Sequence, residues 1–254
     1  MYEKEILEVY EYCGIRSFPV DCDLILKKFG FDIVTYGEAS GGDAEELRRM
    51  KAISNDGYVV PGEAKLYINE ACYGKRQLFT KAHEIGHLVM VSDDEDVADA
   101  FASHLLIPRV VVYAEHLKTA DEIAAFFGVS IAAANKAVVG MGSFSMGFFP
   151  DQVLLRILDH FGYRQQFPSL FIHYAEKYDK VPPSPFIQKL LQKDAKEKER
   201  EKKKQIRSLL GKIQRLRRKL METRDEKEYY KAKNKLAEQQ TRLDLLLGRS
   251  LDDY

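Results

Sequence analysis

His83 and His87 stand four residues apart with Glu84 beside the first, inside Leu78-Phe-Thr-Lys-Ala-His-Glu-Ile-Gly-His-Leu-Val-Met90. On a helix, residues at i and i+4 share one face, with about 5–6 Å between their Cβ atoms. Two imidazoles so placed reach one zinc ion at about 2.0–2.1 Å, and Glu84 points at what lies beside the metal. The flanks are apolar or small, and no proline occurs between Gln77 and Val91, so the spacing predicts a helix through the motif.

A zinc site that does chemistry takes three protein ligands and leaves one position open. The third is expected from Asp93-Asp-Glu-Asp-Val-Ala-Asp-Ala-Phe-Ala-Ser-His-Leu-Leu-Ile-Pro108. Val97, Ala98, Phe101, Leu105 and Leu106 form the apolar stripe of a second buried helix, capped by Ser92 or Asp93 and ended by Pro108. Glu95 and Asp99 lie four apart on one face. With Glu95 on the metal, Asp99 would accept the N–H of a ligating histidine and fix its tautomer. Asp99 in place of Glu95 as the ligand is the alternative. Acids in a first helical turn also complement the helix dipole, which accounts for Asp94 and Asp96 as solvated charges.

Phe79-Thr-Lys-Ala-His-Glu-Ile-Gly-His87 followed by acid-x-x-Ala-Asp-Ala-Phe-Ala-Ser-x-Leu-Leu-Ile-Pro108 closely resembles the ImmA/IrrE metallopeptidases. The resemblance covers roughly residues 10–140. It implies a bacterial intracellular zinc protein with a reduced gluzincin-like fold, of a kind often encoded beside repressors and able to cut a helix-turn-helix repressor. It also places metal ligands at His83, His87 and Glu95 and the general base at Glu84. The family usually carries a second glutamate two positions after the third ligand, where this chain has Val97.

The 254 residues, 45% of them hydrophobic, are enough for one or two domains with a sizeable core. The first residues, Met1-Tyr-Glu-Lys-Glu, contain no apolar signal core, and no run is expected to span a membrane. Cys13, Cys22 and Cys72 are odd in number and lack C-x-x-C spacing, so they read as thiols of a reducing, cytoplasmic compartment.

The fold class expected is α+β: a reduced zincin-like domain with a small antiparallel sheet and the HExxH helix, then helical segments and a C-terminal long helix or coiled-coil hairpin. Helices are predicted over Glu3–Cys13 and Asp21–Phe29, and strands over Phe31–Tyr36, Met50–Ser54, Gly57–Val60 and Lys65–Asn69. Lys65–Asn69 is the expected sheet edge for holding extended peptide by strand addition. Residues 1–145 form the metal domain, including a helix-turn-helix-like pair over 119–139. The second helix of that pair offers only Ser130, Asn135 and Lys136 among small and apolar residues, which suits packing better than reading base edges. Gly140–Phe149 reads as a loop and Phe167–Tyr178 as a short element, within a helical extension and Pro-rich linker over 146–185.

Residues 186–254 form a basic coiled-coil-like arm. From 189 onward the chain holds 21 Lys/Arg and 12 Asp/Glu, net +9, and the preceding 188 residues are net −9, so the neutral total hides two opposite charges. Ile206, Leu209, Ile213, Leu216 and Leu220 keep a 3/4 spacing, and so do Tyr229, Ala232, Leu236, Gln239, Leu243 and Leu246; the register breaks between the two sets.

The chemistry these features imply is zinc-dependent hydrolysis of an amide in a protein substrate, with Glu84 as general base. His104, Arg109, Tyr113 and His116 follow as unranked candidates for stabilising an oxyanion. The alternative function is a non-catalytic, metal-stabilised regulatory domain that binds partners through its arm. A protein substrate, such as a helix-turn-helix repressor, and self-association of the arm are the expected partners; nucleic acid ranks last and a membrane is not expected.

Overall fold

Asp21, Thr35, Asp43, Asp94, Thr119, Ser130, Asp151 and Asp225 each stand just before a helix, with a side-chain oxygen accepting a backbone N–H of the first turn. This satisfies donors that a helix start otherwise leaves unpaired, which is why short polar residues punctuate the chain at those points. The computed structural model describes residues 2–142, 144, 151–172 and 182–248. It divides into two units, Met1–Gln188 and Lys189–Tyr254.

In the first unit, α1 (Glu3–Cys13) and α2 (Cys22–Phe29) precede β1 (Asp32–Thr35), α3 (Tyr36–Ser40) and α4 (Ala44–Ile53). Then come β2 (Gly57–Val60), β3 (Lys65–Ile68), α5 (Gly74–Met90), α6 (Glu95–Leu106), α7 (Arg109–Ala114), α8 (Ala120–Phe127), α9 (Ile131–Met141) and α10 (Gln152–His160). The fold class is α+β, mostly helical with one small sheet and a long helix toward the C-terminus. That sheet is mixed, which corrects the antiparallel expectation: β3 pairs antiparallel with β2 and parallel with β1, Ile33 opposite Leu66. The order β1-β3-β2 puts Lys65–Ile68 in the centre, so the predicted edge is occupied on both sides and the free edges are β1 and β2. Met50–Ser54 is not a strand. Asp43 caps a helix there, and Glu45 pairs with Arg49 one turn on at 2.6 Å, so a short apolar run ends α4.

α5 and α6 make the centre. Ala82, Ile85 and Val89 of α5 meet Ala98, Phe101, Ala102 and Leu105 of α6 in the buried core. Burying each large apolar side chain contributes about 1.5–3 kcal/mol relative to leaving it exposed. Behind them α1 packs on α6 and α10, and the Tyr10 hydroxyl donates to the Leu105 carbonyl. α10, in the stretch read as a helical extension, packs on α1 and α7. Glu95–Ala114 does reach the length and hydropathy of a membrane span, contrary to expectation; it is interrupted at Ile107–Pro108, and 61% of its most apolar window is buried inside the fold.

α8 and α9 meet at 118°, with Ala134 and Ala137 of α9 buried and Asn135 and Lys136 exposed. Gly140 and Met141 belong to α9 or its end, and most of the loop read at 140–149 lies outside the described residues. Of the element read at Phe167–Tyr178, a single 3-10 turn over Pro168–Phe171 is described, and the rest lies outside. In the second unit the chain continues along α11 (Pro185–Glu222) and then α12 (Glu226–Leu247). The arm is two helices broken at residues 223–225, with Asp225 capping the second and Lys219 Nζ 3.0 Å from Glu228 across the break.

Candidate metal centre

His83, Glu84 and His87 sit in the C-terminal half of α5, and Glu95 is the first residue of α6. Two local features bring them together. Gly86 lies where the helices cross: a Cβ there would stand 3.1 Å from both Cα and O of Ala98 and 3.3 Å from Phe101 Cβ. Any side chain would force the helices apart. At the end of α5, Val91 adopts a left-handed cap (φ 50°) whose N–H bonds the His87 carbonyl, turning the chain within four residues toward α6. Asp94, rather than Ser92 or Asp93, caps α6, accepting from Asp96 N at 2.9 Å, and Ser92 Oγ accepts from Asp94 N at 3.2 Å.

The result is a group of three donors. His83 Nε2 lies 3.0 Å from His87 Nε2 and 3.1 Å from Glu95 Oε2, and His87 Nε2 lies 3.5 Å from Glu95 Oε1. Ligands at about 2.05 Å from a tetrahedral ion are roughly 3.3 Å apart, so the spacing suits a small divalent cation. The outer nitrogens are committed elsewhere: His83 Nδ1 is 2.8 Å from Asp99 Oδ1, and His87 Nδ1 is 2.7 Å from the Ser92 carbonyl oxygen. Both partners are acceptors, so each Nδ1–H donates outward and each Nε2 faces the other ring and the Glu95 carboxylate, the tautomer in which Nε2 is the metal-binding nitrogen. The donor set therefore fits a divalent metal ion.

Access is uneven. The histidine side chains are about one-sixth exposed, at 15% and 16%, whereas the Glu95 side chain is 77% exposed, so the donor group faces solvent from the α6 side. Glu84 lies on the other side, buried, and its Oε2 accepts the Val59 N–H at 2.9 Å. Burial lifts the Glu84 carboxyl above the ordinary carboxylate range, against the Val59 N–H and the two imidazoles, which favour its charge. Val59 belongs to β2, an edge strand.

The structure thus brings His83, His87 and Glu95 into one donor group, sets Asp99 behind His83 outside that group, and holds Glu84 between the histidines' helix and the sheet. The four oxyanion candidates are engaged or placed elsewhere. His104 pairs with Glu3 at 3.2 Å, Arg109 donates to Ser103 Oγ at 3.0 Å, Tyr113 lies against Phe144 and Phe167, and His116 sits after α7 with φ 56°. Sequence reasoning missed the Ser92 carbonyl and the Val59 N–H. Both are backbone groups, which no residue type announces.

An HExxH helix crossed by a second helix that supplies an acid, beside a small sheet, defines the class: a metallopeptidase-like domain. Residues 48–138 match the family model Peptidase_M78, described as an IrrE N-terminal-like domain. The matched span is narrower than the resemblance read from the sequence. The chain is similar to the radiation response metalloprotease IrrE of Deinococcus radiodurans, 35% identical over 75 residues. That alignment spans 28% of this chain and 23% of the relative, less than a quarter of its length. No solved structure matches the chain.

Proposed function

We propose that this protein is a zinc-dependent intracellular endopeptidase that cleaves a regulatory protein, with a helix-turn-helix repressor as the substrate class. The observation that carries this reading is the buried Glu84 carboxylate, held by the Val59 N–H within the HExxH helix. A metal that only braces a fold has no use for a carboxylate there, and burying one without function costs stability. In the proposed reaction His83, His87 and Glu95 hold the ion, which when bound supplies Lewis-acid polarisation of the scissile carbonyl. Glu84 accepts a proton from the attacking water and delivers it to the leaving amine; its raised pKa suits a group that must both take and release it.

The edge of β2 is the proposed place for substrate. Asp56 O accepts Asn69 N, and Tyr58 stands opposite Tyr67, so along β2 the alternate residues Gly57 and Val59 turn their backbone groups away from β3. An extended segment added there would run beside Glu84 and donate to the Gly57 and Val59 carbonyls, because the N–H groups of these two residues already bond Ser54 Oγ and Glu84. The cytoplasmic placement rests on the cysteines: Cys13 and Cys22 are buried free thiols, and burial pushes Cys13 up to about 12, far from the reactive thiolate range.

The test separates base from ligand. Purified protein is expected to hold close to one equivalent of zinc, and Glu84→Gln to retain it while hydrolysis of a casein or repressor substrate falls by orders of magnitude. A wild-type protein that takes up no divalent metal at neutral pH, or a Glu84→Gln variant as active as wild type, defeats the proposal.

A further inference from the structure

Between Lys202 and Lys219 the chain carries nine Lys/Arg and no Asp or Glu. All nine are exposed on α11, while Ile206, Leu209, Ile213, Leu216 and Leu220 are half-buried or buried. At 100° per residue, Lys204, Arg207, Arg215 and Arg218 fall on the side opposite that stripe, with Lys212 and Lys219 at its flank. One side of α11 is therefore covered, and the other carries cations among Ser208, Gly211 and Gln214 with no acid.

A merely solvated helix does not call for this pattern. Like charges three and four residues apart destabilise a helix, and 204/207, 212/215, 215/218 and 215/219 are such pairs. Internal neutralisation is confined to the margins of the run: Lys203 pairs with Glu199 at 2.6 Å, Lys204 with Glu201 at 4.0 Å and Lys219 with Glu228 at 3.0 Å. Arg207, Lys212, Arg217 and Arg218 have no ion-pair partner among the described residues.

We propose that this face of α11 binds the phosphate backbone of duplex DNA without reading sequence. From Lys204 to Arg218 the helix rises about 21 Å, and duplex DNA offers one negative charge per roughly 1.7 Å of axis. The other occupants fit less well. A second copy of the arm would bring like charges together, and Leu209 and Ile213, the centre of the stripe it would pair through, are only 9% and 4% exposed. A membrane surface asks for apolar anchors flanking the charges, and here the apolar side is the covered one. Single-stranded nucleic acid asks for stacking rings, and no aromatic residue occurs between Phe186 and Tyr229. The proposal departs from the sequence expectation, which ranked self-association of the stripe above nucleic acid.

The experiment uses the full chain and a fluorescein-labelled 24-base-pair duplex of arbitrary sequence, with anisotropy read from 50 to 200 mM NaCl. With about six phosphate contacts, affinity is expected to fall on the order of 10³-fold across that range. Arg207→Gln/Arg215→Gln/Arg218→Gln should lower the slope of log K against log[salt] by about 2.7. Its metal content and helicity should match wild type. Should the triple variant lose helicity, Arg218→Gln alone is read, with a slope change of about 0.9. No binding at 50 mM NaCl overturns the proposal, as does a slope the substitutions leave unchanged. So does displacement of the duplex by polyglutamate or by phosphatidylserine vesicles as readily as by unlabelled DNA of equal charge.

Discussion

Asp99 Oδ1 lies 2.8 Å from His83 Nδ1, one turn along α6 from Glu95, so a single helix face both contacts His83 Nε2 and orients its ring from behind. The two acids of the sequence thus have separate positions: Glu95 in front of the imidazole, Asp99 behind it.

That arrangement yields the first prediction. Asp99→Ala should weaken zinc affinity by 10–100-fold, the usual cost of losing a carboxylate that orients a ligating histidine. His83→Ala and Glu95→Ala should lose far more. Competition against a calibrated chelator at neutral pH measures all three. If Asp99→Ala abolishes binding while Glu95→Ala leaves it intact, the two roles are reversed.

Gly86→Ala tests the helix crossing. The added methyl meets the Ala98 backbone at 3.1 Å, which cannot swing aside as a side-chain end can. We expect a loss of about 1–3 kcal/mol by urea denaturation, typical of overpacking. Zinc affinity should also weaken, because α6 carries Glu95. Wild-type stability in this variant would show that α6 is not held at that contact.

Val91→Gly should act in the opposite direction. Val91 is β-branched, 74% exposed and at φ 50°, so it bears left-handed strain with little packing to offset it. Relieving about 1–2 kcal/mol of strain, less the greater unfolded-chain entropy of glycine, should raise the urea midpoint by a net gain of up to about 1 kcal/mol. The His87–Ser92 contact should survive, leaving zinc affinity near wild type. A lowered midpoint would mean that the valine contributes contacts beyond its cap.

A pH dependence follows from His160, far from the metal group in the sequence. Its Nε2–H donates to the Ile15 carbonyl at 2.6 Å, its Nδ1 accepts from Arg16 Nη1 at 2.9 Å, and its ring stacks on Tyr10. Burial depresses its pKa below 6.5, so the folded state favours the neutral ring. The unfolded chain takes up a proton first as pH falls. The stability from neutral His160 is therefore complete above about 6.5 and fades as pH drops through the lower folded value. Melting temperatures from pH 8 to 5 should fall more steeply for wild type than for His160→Gln. Parallel curves would remove His160 as the cause.

Much of the metal group was legible in the sequence because its rules are local. The i, i+4 spacing of His83 and His87 places them on one helix face whatever the rest of the chain does. Glu95 and Asp99 share a face for the same reason, and an N-terminal cap followed by an apolar stripe marks α6. The opposite charges of the two units and the stripe of α11 can likewise be counted directly from the residues.

Only the tertiary structure decided how these pieces meet. β1 pairs with β3 across more than thirty residues, and nothing in either four-residue strand names its partner or its direction, so the antiparallel expectation and the edge assigned to Lys65–Asn69 both gave way. Whether Glu95 reaches both histidines depends on the crossing at Gly86, a contact between helices. Ser92 O and Val59 N–H are groups that every non-proline residue carries, so their roles arise from position alone. Periodicity is a property of neighbours along the chain; pairing, crossing and backbone contacts belong to residues brought together by packing.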